Sequence, residues 1–382
     1  MLKKLVLRGI VLVFGVLVLL AGGALGWRAL RRHRLSESMV IGTPNGIDER
    51  RYVRIGGVEQ WITIRGQNRD NPAILLLHGG PGAPLSPLPG HFLAWEREFT
   101  VIQWDQRGAG KSYSPNQGAP GIDLMVRDAV EVSEYARRRL HRNKIILLGH
   151  SWGSVLGIHV IRARPDLFDA WVGTGQIVNM QRNEVVAYSQ VLSKARARGD
   201  RDAVEALQKS GPPPYRQIGQ MGLERRWAMQ YEPGLRYGPT GPRGLLVELL
   251  TAPDYSLKDI VNYLKGVVGG DDFFGQAMDG PLMRVDLPAL GTDFSIPFFV
   301  VEGEEDDITP ASLARAYFDR ITAPRKAFLL MPDAGHMALL TRSDAFLEFL
   351  MVNVRPLSRE ASTIAGSRPP QFPGKAGKTL RL

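Results

Sequence analysis

The sequence contains no cysteine among its 382 residues. Disulfide scaffolds, thiolate metal sites, cysteine nucleophiles and a lipid-modified cysteine anchor are thereby excluded. The compartment stays open, because a chain without thiols is equally stable in reducing and oxidising surroundings. Acids are missing from residues 1–35, which carry Lys3, Lys4, Arg8, Arg28, Arg31, Arg32 and Arg34. They are nearly missing from residues 355–382, where Glu360 stands against Arg355, Arg359, Arg368, Lys375, Lys378 and Arg381. These two ends more than account for the formal net charge of +10 and leave about −2 on the body. A dedicated nucleic-acid fold needs a basic body, so no nucleic-acid partner is expected. Anionic lipid headgroups are the most economical partner for the charged ends.

Charge and strong polarity are also absent from residues 9–27, GIVLVFGVLVLLAGGALGW. As a helix this run spans roughly 28 Å, close to the ~30 Å hydrocarbon core of a bilayer. The small-residue stretch at 21–26 offers no clean A-x-A site, and arginines follow directly, so the reading is an uncleaved single-pass anchor rather than a signal peptide. Three basic residues and the amino terminus precede the run and four arginines follow it, a tie on the positive-inside count. The reading adopted places the N-terminus inside and the folded body on the extracytoplasmic side.

What is present after a polar linker at 36–50 is an alternation of strand and helix patterns, the signature of an α/β fold with a mostly parallel sheet. Strands are expected at 58–65, 73–77, 99–104, 144–148, 168–172, 297–301 and 326–331. Helices are expected at 92–98, 122–140, up to 164, 311–321 and 338–354. Between 176 and 285 strand patterns give way to helical stretches broken by Pro and Gly, which reads as an inserted helical cap. The expected division is an anchor at 1–35, a linker at 36–50, a core at 51–175 and 286–355, a cap at 176–285 and a disordered basic tail at 356–382.

Gly149-His-Ser151-Trp-Gly153 follows a strand pattern and precedes a helix pattern. In that setting G-x-S-x-G reads as a nucleophile elbow, a sharp turn that exposes the Ser151 hydroxyl at a helix N-terminus. A serine hydroxyl needs a base, and the base needs an orienting acid, here in the order Ser, acid, His. Of seven histidines only His336, in Asp333-Ala-Gly-His336, lies beyond the cap. The acid is expected after the preceding strand, within Glu304-Glu-Asp-Asp307. Asp306 is preferred and Asp307 is the alternative. Oxyanion donors are expected from the backbone N–H of Trp152 and from His78-Gly-Gly-Pro-Gly82, with Gly80 favoured and Gly79 in reserve. Gly108-Ala-Gly-Lys-Ser112 fails as a phosphate loop, having Asp105 where the first glycine belongs and no helix after it. No His/Glu pair has zinc spacing, and serine chemistry calls for no metal or cofactor.

The blocks His78-Gly-Gly-Pro-Gly82, Trp104-Asp-Gln-Arg-Gly-Ala-Gly-Lys-Ser112 and Gly149-His-Ser-Trp-Gly-Ser154 resemble the signature segments of α/β-hydrolases of the proline iminopeptidase type. The resemblance covers residues 50–354 and implies a mostly parallel eight-stranded sheet with a helical cap. By resemblance Ser151, Asp306 and His336 form the triad, and Asp105 and Arg107 sit in a supporting loop. Members that remove N-terminal proline hold the substrate amine with cap carboxylates. Arg226-Trp-Ala-Met-Gln-Tyr-Glu232 loosely resembles the segment carrying one of them, with altered aromatic spacing, and makes Glu232 a substrate-binding candidate. The function expected is hydrolysis of N-terminal proline or other aminoacyl amide bonds through an acyl-enzyme. A carboxylic ester or thioester hydrolase is the alternative, and a catalytically silent hydrolase fold used for ligand binding is the reading from another class.

Overall fold

The continuous apolar runs at 73–77 and 145–148 are too short for buried helices and rich in branched side chains, which suits strands covered on both faces. In the computed structural model, which describes residues 2–115, 120–233 and 241–358, they form the centre of an eight-stranded sheet. The strands are β1 (Ile47–Ile55), β2 (Val58–Gly66), β3 (Ala73–Leu77), β4 (Thr100–Trp104), β5 (Ile145–His150), β6 (Phe168–Thr174), β7 (Phe298–Gly303) and β8 (Lys326–Met331). Their order is β1-β2-β4-β3-β5-β6-β7-β8. β2 runs antiparallel to β1 and β4, and the other pairs are parallel.

Alternate residues of the central strands serve opposite faces. Leu75, Leu77, Ile145 and Leu147 belong to one apolar cluster, and Ile74, Leu76, Ile146 and Leu148 to the other. The helices are α1 (Leu2–Ser38), α2 (Trp95–Glu98), α3 (Ile122–Leu140), α4 (Trp152–Ala163), α5 (Met180–Ala197), α6 (Arg201–Ser210), α7 (Ile218–Tyr231), α8 (Pro242–Thr251), α9 (Leu257–Gly269), α10 (Ala311–Arg320), α11 (Ala338–Thr341) and α12 (Ser343–Asn353). Helices α5 to α9 fill the interval between β6 and β7, in which the described residues add no strand to the sheet.

Several boundaries differ from the sequence reading: the helix expected from 92 begins at Trp95, the one expected at 338–354 is divided into α11 and α12, and the strands expected to end at 172 and 301 run to Thr174 and Gly303. The expected linker at 36–50 is partly structured, since α1 runs to Ser38 and β1 begins at Ile47. β1 is not expected from sequence because Asp48, Glu49, Arg50, Arg51 and Arg54 mask its strand pattern; it is an edge strand, and among the described residues β2 alone pairs with it. Of the expected tail, Leu357 packs on the core and Ser358 donates to Asp169 at 2.6 Å. Residues 359–382 lie outside the described residues.

The loop after β4 ties the sheet to its helices. Arg107 donates to both oxygens of Asp128 on α3, at 2.8 and 2.9 Å, and Gln60 of β2 donates to the same carboxylate at 2.8 Å. Both ionic groups are buried, and removing one partner of such a pair strands the other charge at a cost of about 3–5 kcal/mol. Asp128→Ala is therefore expected to lower the thermal midpoint by roughly 5–10 °C, read by calorimetry, with Arg107→Met/Asp128→Leu recovering much of the loss. An unchanged midpoint in the single variant would remove this pair from the framework.

Among the described residues one helix, α1, is long and apolar enough to cross a bilayer, with its span beginning near Leu12. Its last turns rest on the body. Arg28 donates to the carbonyls of Leu250 and Tyr255 at 2.7 and 2.8 Å, and Arg32 to that of Pro253.

Candidate active site

β3 and β5 are neighbours, yet the chain leaves β3 for β4 on one side and reaches β5 on the other. Such a switch point opens a crevice at the carboxyl ends of the strands, and Ser151 sits there between β5 and α4. Its backbone has φ 55° and ψ −119°, a strained conformation for a residue with a side chain. The surroundings hold it: Ser151 N–H donates to Thr174 carbonyl at 3.0 Å, and Ser154 donates from both N–H and Oγ to Ser151 carbonyl at 2.8 and 2.6 Å. The flanking glycines are steric requirements. A side chain on Gly149 would strike the backbone of Gly153 and the Trp171 ring, and one on Gly153 would strike the Leu77 carbonyl.

The loop after β3 closes on the elbow. A Cβ on Gly79 would stand 3.0 Å from Ser151 Cβ, and Gly80 takes φ +108°. His78 anchors this loop: its Nε2 accepts from Gln106 N–H at 3.1 Å, so its Nδ1–H donates to Gly79 carbonyl at 2.9 Å. Burial lowers its pKa to about 4, which keeps it neutral in that tautomer. Gln106 also accepts from the Trp152 indole at 3.0 Å. Trp152 is buried at the first position of α4, where a backbone N–H has no intrahelical acceptor.

The four acids after β7 separate cleanly. Glu304 is exposed, whereas Glu305 and Asp307 pair with Lys194 of α5, Asp307 at 2.7 Å. Asp306 Oδ2 accepts from His336 Nδ1 at 2.9 Å and from Thr309 Oγ1 at 2.6 Å, while Oδ1 accepts from the N–H groups of Ile308 and Thr309 at 2.8 and 2.7 Å. Burial alone would raise the Asp306 pKa, but the His336 charge and these donors outweigh it and hold the carboxyl below its ordinary value. Burial would likewise lower His336, and the Asp306 carboxylate reverses this and holds it above 6.5. With Nδ1–H given to Asp306, His336 Nε2 is left as an acceptor. A Cβ on Gly175 would come within 2.9 Å of the same imidazole edge, so that glycine leaves the ring its space.

Ser151, His336, Gly79, Gly80 and Glu232 all line one cavity of about 530 Å³. Glu232, just past α7, is only 3% exposed, and its Oε1 accepts from Met337 N–H at 2.5 Å. Burial, partly offset by His336, raises its pKa to about 7. The remaining walls are mostly apolar, with Leu85, Leu88, Met221, Leu245, Leu249 and Ile308 among them.

Several groups at the site were not singled out from the sequence. His150, the variable position of the elbow motif, lays its ring 4.8 Å from that of His336 and donates from Nε2 to His336 carbonyl at 3.0 Å. Burial takes its pKa down to about 3, so it is a neutral support. Thr309 links Asp306 to His336. Arg225 reaches the cavity wall and pairs with the buried Glu184 and Glu224 of α5 and α7. Glu184 and Arg225 lie 41 positions apart, so no local motif announces their pairing.

A strained serine at a strand-to-helix turn, beside glycines and a buried histidine, on this sheet, defines an α/β serine hydrolase. Comparison with known proteins agrees. The family model described as serine aminopeptidase, S33, matches residues 93–202. A probable aminopeptidase of Bacillus subtilis, YbaC, is 28% identical over 79% of this chain and 94% of its own. A proline iminopeptidase of Lactobacillus delbrueckii subsp. bulgaricus is 22% identical over 78% and 95%. The crystal structure of the Mycobacterium smegmatis proline iminopeptidase superposes with a TM-score of 0.61 at 19% identity, covering 82% of this chain and 100% of that one. The chain is thus similar in sequence and fold to proline iminopeptidase-like α/β-hydrolases.

Proposed function

We propose that this chain is a membrane-anchored serine hydrolase that releases N-terminal proline or other aminoacyl groups from amide bonds. The observation that carries the reading is the 2.9 Å contact of Asp306 with His336 Nδ1, behind an imidazole that shares a cavity with the strained Ser151. Ser151 Oγ attacks the acyl carbon while His336 Nε2 takes its proton. The backbone N–H groups of Trp152 and Gly80, with Gly79 in reserve, receive the oxyanion, a contribution of roughly 10²–10³ in turnover per donor. His336 returns the proton to the departing amine, and water then attacks the acyl-enzyme by the same route. No metal or cofactor takes part in these steps. Residues 176–285 act as the cap, and α1 holds the body to the extracytoplasmic side of the membrane.

Glu232 is the group for the substrate ammonium: a buried carboxylate on the cavity wall, whose ionisation a cation would favour. Glu232→Gln keeps an acceptor for Met337 N–H and is expected to raise KM for free-amine substrates about tenfold, the loss of one charge-assisted hydrogen bond. N-acylated or ester substrates should be unaffected. A second reading, ester or thioester hydrolysis, is favoured by the Leu and Met walls, which suit a plain acyl chain. A panel of prolyl and other aminoacyl amides beside short-chain esters, given to the full chain, decides between them. Fast ester turnover with no amide cleavage would end the aminopeptidase reading.

A further inference from the structure

The helix α9 carries an apolar stripe on its solvent side. Leu257, Val261, Leu264 and Val268 are 52%, 49%, 50% and 69% exposed. Their spacing of four, three and four residues puts them on one face over about three turns. The opposite side is committed to the body, where a Cβ on Gly266 would stand 2.8 Å from Gly108 carbonyl, and the buried Ile260 bounds the stripe on one flank. The exposed stripe continues through Leu246 of α8 and Met229 of α7. It also continues inward, since Leu246, Leu264, Val267 and Met229 line the cavity that holds Ser151. A contiguous exposed apolar surface that merges with a cavity wall marks a place where something apolar docks.

The anchor identifies the occupant. Arg28 is the first charge after the apolar run of residues 9–27, so its guanidinium sits where hydrocarbon gives way to headgroups. It is bonded to the carbonyls of Leu250, at the end of α8, and Tyr255, two residues before Leu257. The α8–α9 junction is thereby held at the depth of the interface. Lys258 and Lys265, both exposed and seven residues apart beside the stripe, present cations to that layer, and Arg31, Arg32 and Arg34 continue the positive rim along α1. An apolar helix face edged with lysines at this level matches a helix lying in a bilayer surface.

We propose that the α8–α9 face is seated in the interfacial layer of the bilayer that α1 crosses, so that the cavity opens to the lipid phase and takes amphiphilic acyl substrates from it. This rests on the reading of α1 as a membrane anchor, and it deepens the proposed hydrolase by naming where its substrates reside.

The absence of cysteine allows single labelling sites in the full chain. An environment-sensitive fluorophore is attached at Val261→Cys or Val268→Cys. Leu19→Cys in α1 and Val352→Cys on α12 serve as references. Each protein is reconstituted into vesicles of phosphatidylethanolamine and phosphatidylglycerol containing nitroxide-labelled lipid. The expected result is lipid quenching at 261 and 268 as well as at 19, with 352 unquenched. Quenching at 19 but not at 261 and 268 overturns the proposal and leaves the anchor standing. Absence of quenching at 19 as well removes both. A blue shift at 261 and 268 without quenching overturns it in favour of a second copy of the chain covering the stripe. None of these outcomes depends on catalysis, so they are separate from the fate of the hydrolase reading. A second measurement addresses entry. Leu257→Asp/Val261→Asp/Val268→Asp should slow labelling by a long-chain, vesicle-dispersed fluorophosphonate about tenfold and leave labelling by a short water-soluble one unchanged. Equal rates with the long-chain reagent in parent and variant would overturn the lipid route.

Discussion

Ser151→Ala is expected to abolish labelling by a fluorophosphonate probe and to lower turnover on any substrate by a factor on the order of 10⁴–10⁶, the range associated with loss of a serine nucleophile. What remains would come from oxyanion donors and binding alone. The substitution removes one oxygen from a site whose neighbours are held by backbone contacts: Ser151 N–H and carbonyl are both bonded to residues outside the side chain's reach. Folding should therefore survive, and the loss can be assigned to chemistry. The strained φ of 55° at this residue gives the prediction a second arm. Ser151→Gly should be equally inactive yet more stable by about 1 kcal/mol, since glycine adopts that conformation without penalty. Calorimetry and probe labelling on the same two variants check both arms. Labelling that persisted in Ser151→Ala would remove Ser151 from the mechanism.

The chemistry-bearing strands were legible because their signals are local. The 73–77 and 326–331 strands and the 122–140 helix have the limits their apolar patterns indicate, and Gly149, Ser151 and Gly153 report a turn that only those residue types permit. Legibility failed where the determinant lies far along the chain. β1 is made a strand by pairing with β2 rather than by its own highly charged sequence. Nothing in the segment around Glu232 announces its burial, which depends on Gly335, 103 positions later, where any side chain would occupy the carboxylate's place. The choice among four consecutive acids likewise needed partners: Lys194, more than a hundred residues upstream, takes Asp307 and leaves Asp306 to His336. Residues 176–285 are the extreme case. They read as helical stretches, but which faces wall the cavity and which face outward is set by packing that no single helix encodes.

That division of the acids leads to the second large effect. Asp306→Asn should lower kcat on the order of 10⁴, whereas Asp307→Asn should cost less than tenfold. The asparagine amide would offer a donor to His336 Nδ1, or require that nitrogen to accept, and so favour the tautomer with the proton on Nε2, where a base is needed. The pH profile should change with it. In the parent, Asp306 holds the His336 pKa above 6.5 against the effect of burial. With His336 as the proposed base, which acts when neutral, kcat/KM is expected to rise with pH through that raised value. In Asp306→Asn the attraction is gone and burial remains, so the residual activity should rise at lower pH than in the parent. Stability follows the same signs. The raised His336 contributes stability that is present below 6.5 and lost as pH climbs through its folded value; the depressed Asp306 contributes stability that is present above 3.8 and lost in acid. Asp306→Asn should thus be most destabilising near pH 5–6, where both charges of the pair exist, and less so near pH 9. Normal turnover in Asp306→Asn together with loss in Asp307→Asn would transfer the orienting role to Asp307, despite its pairing with Lys194.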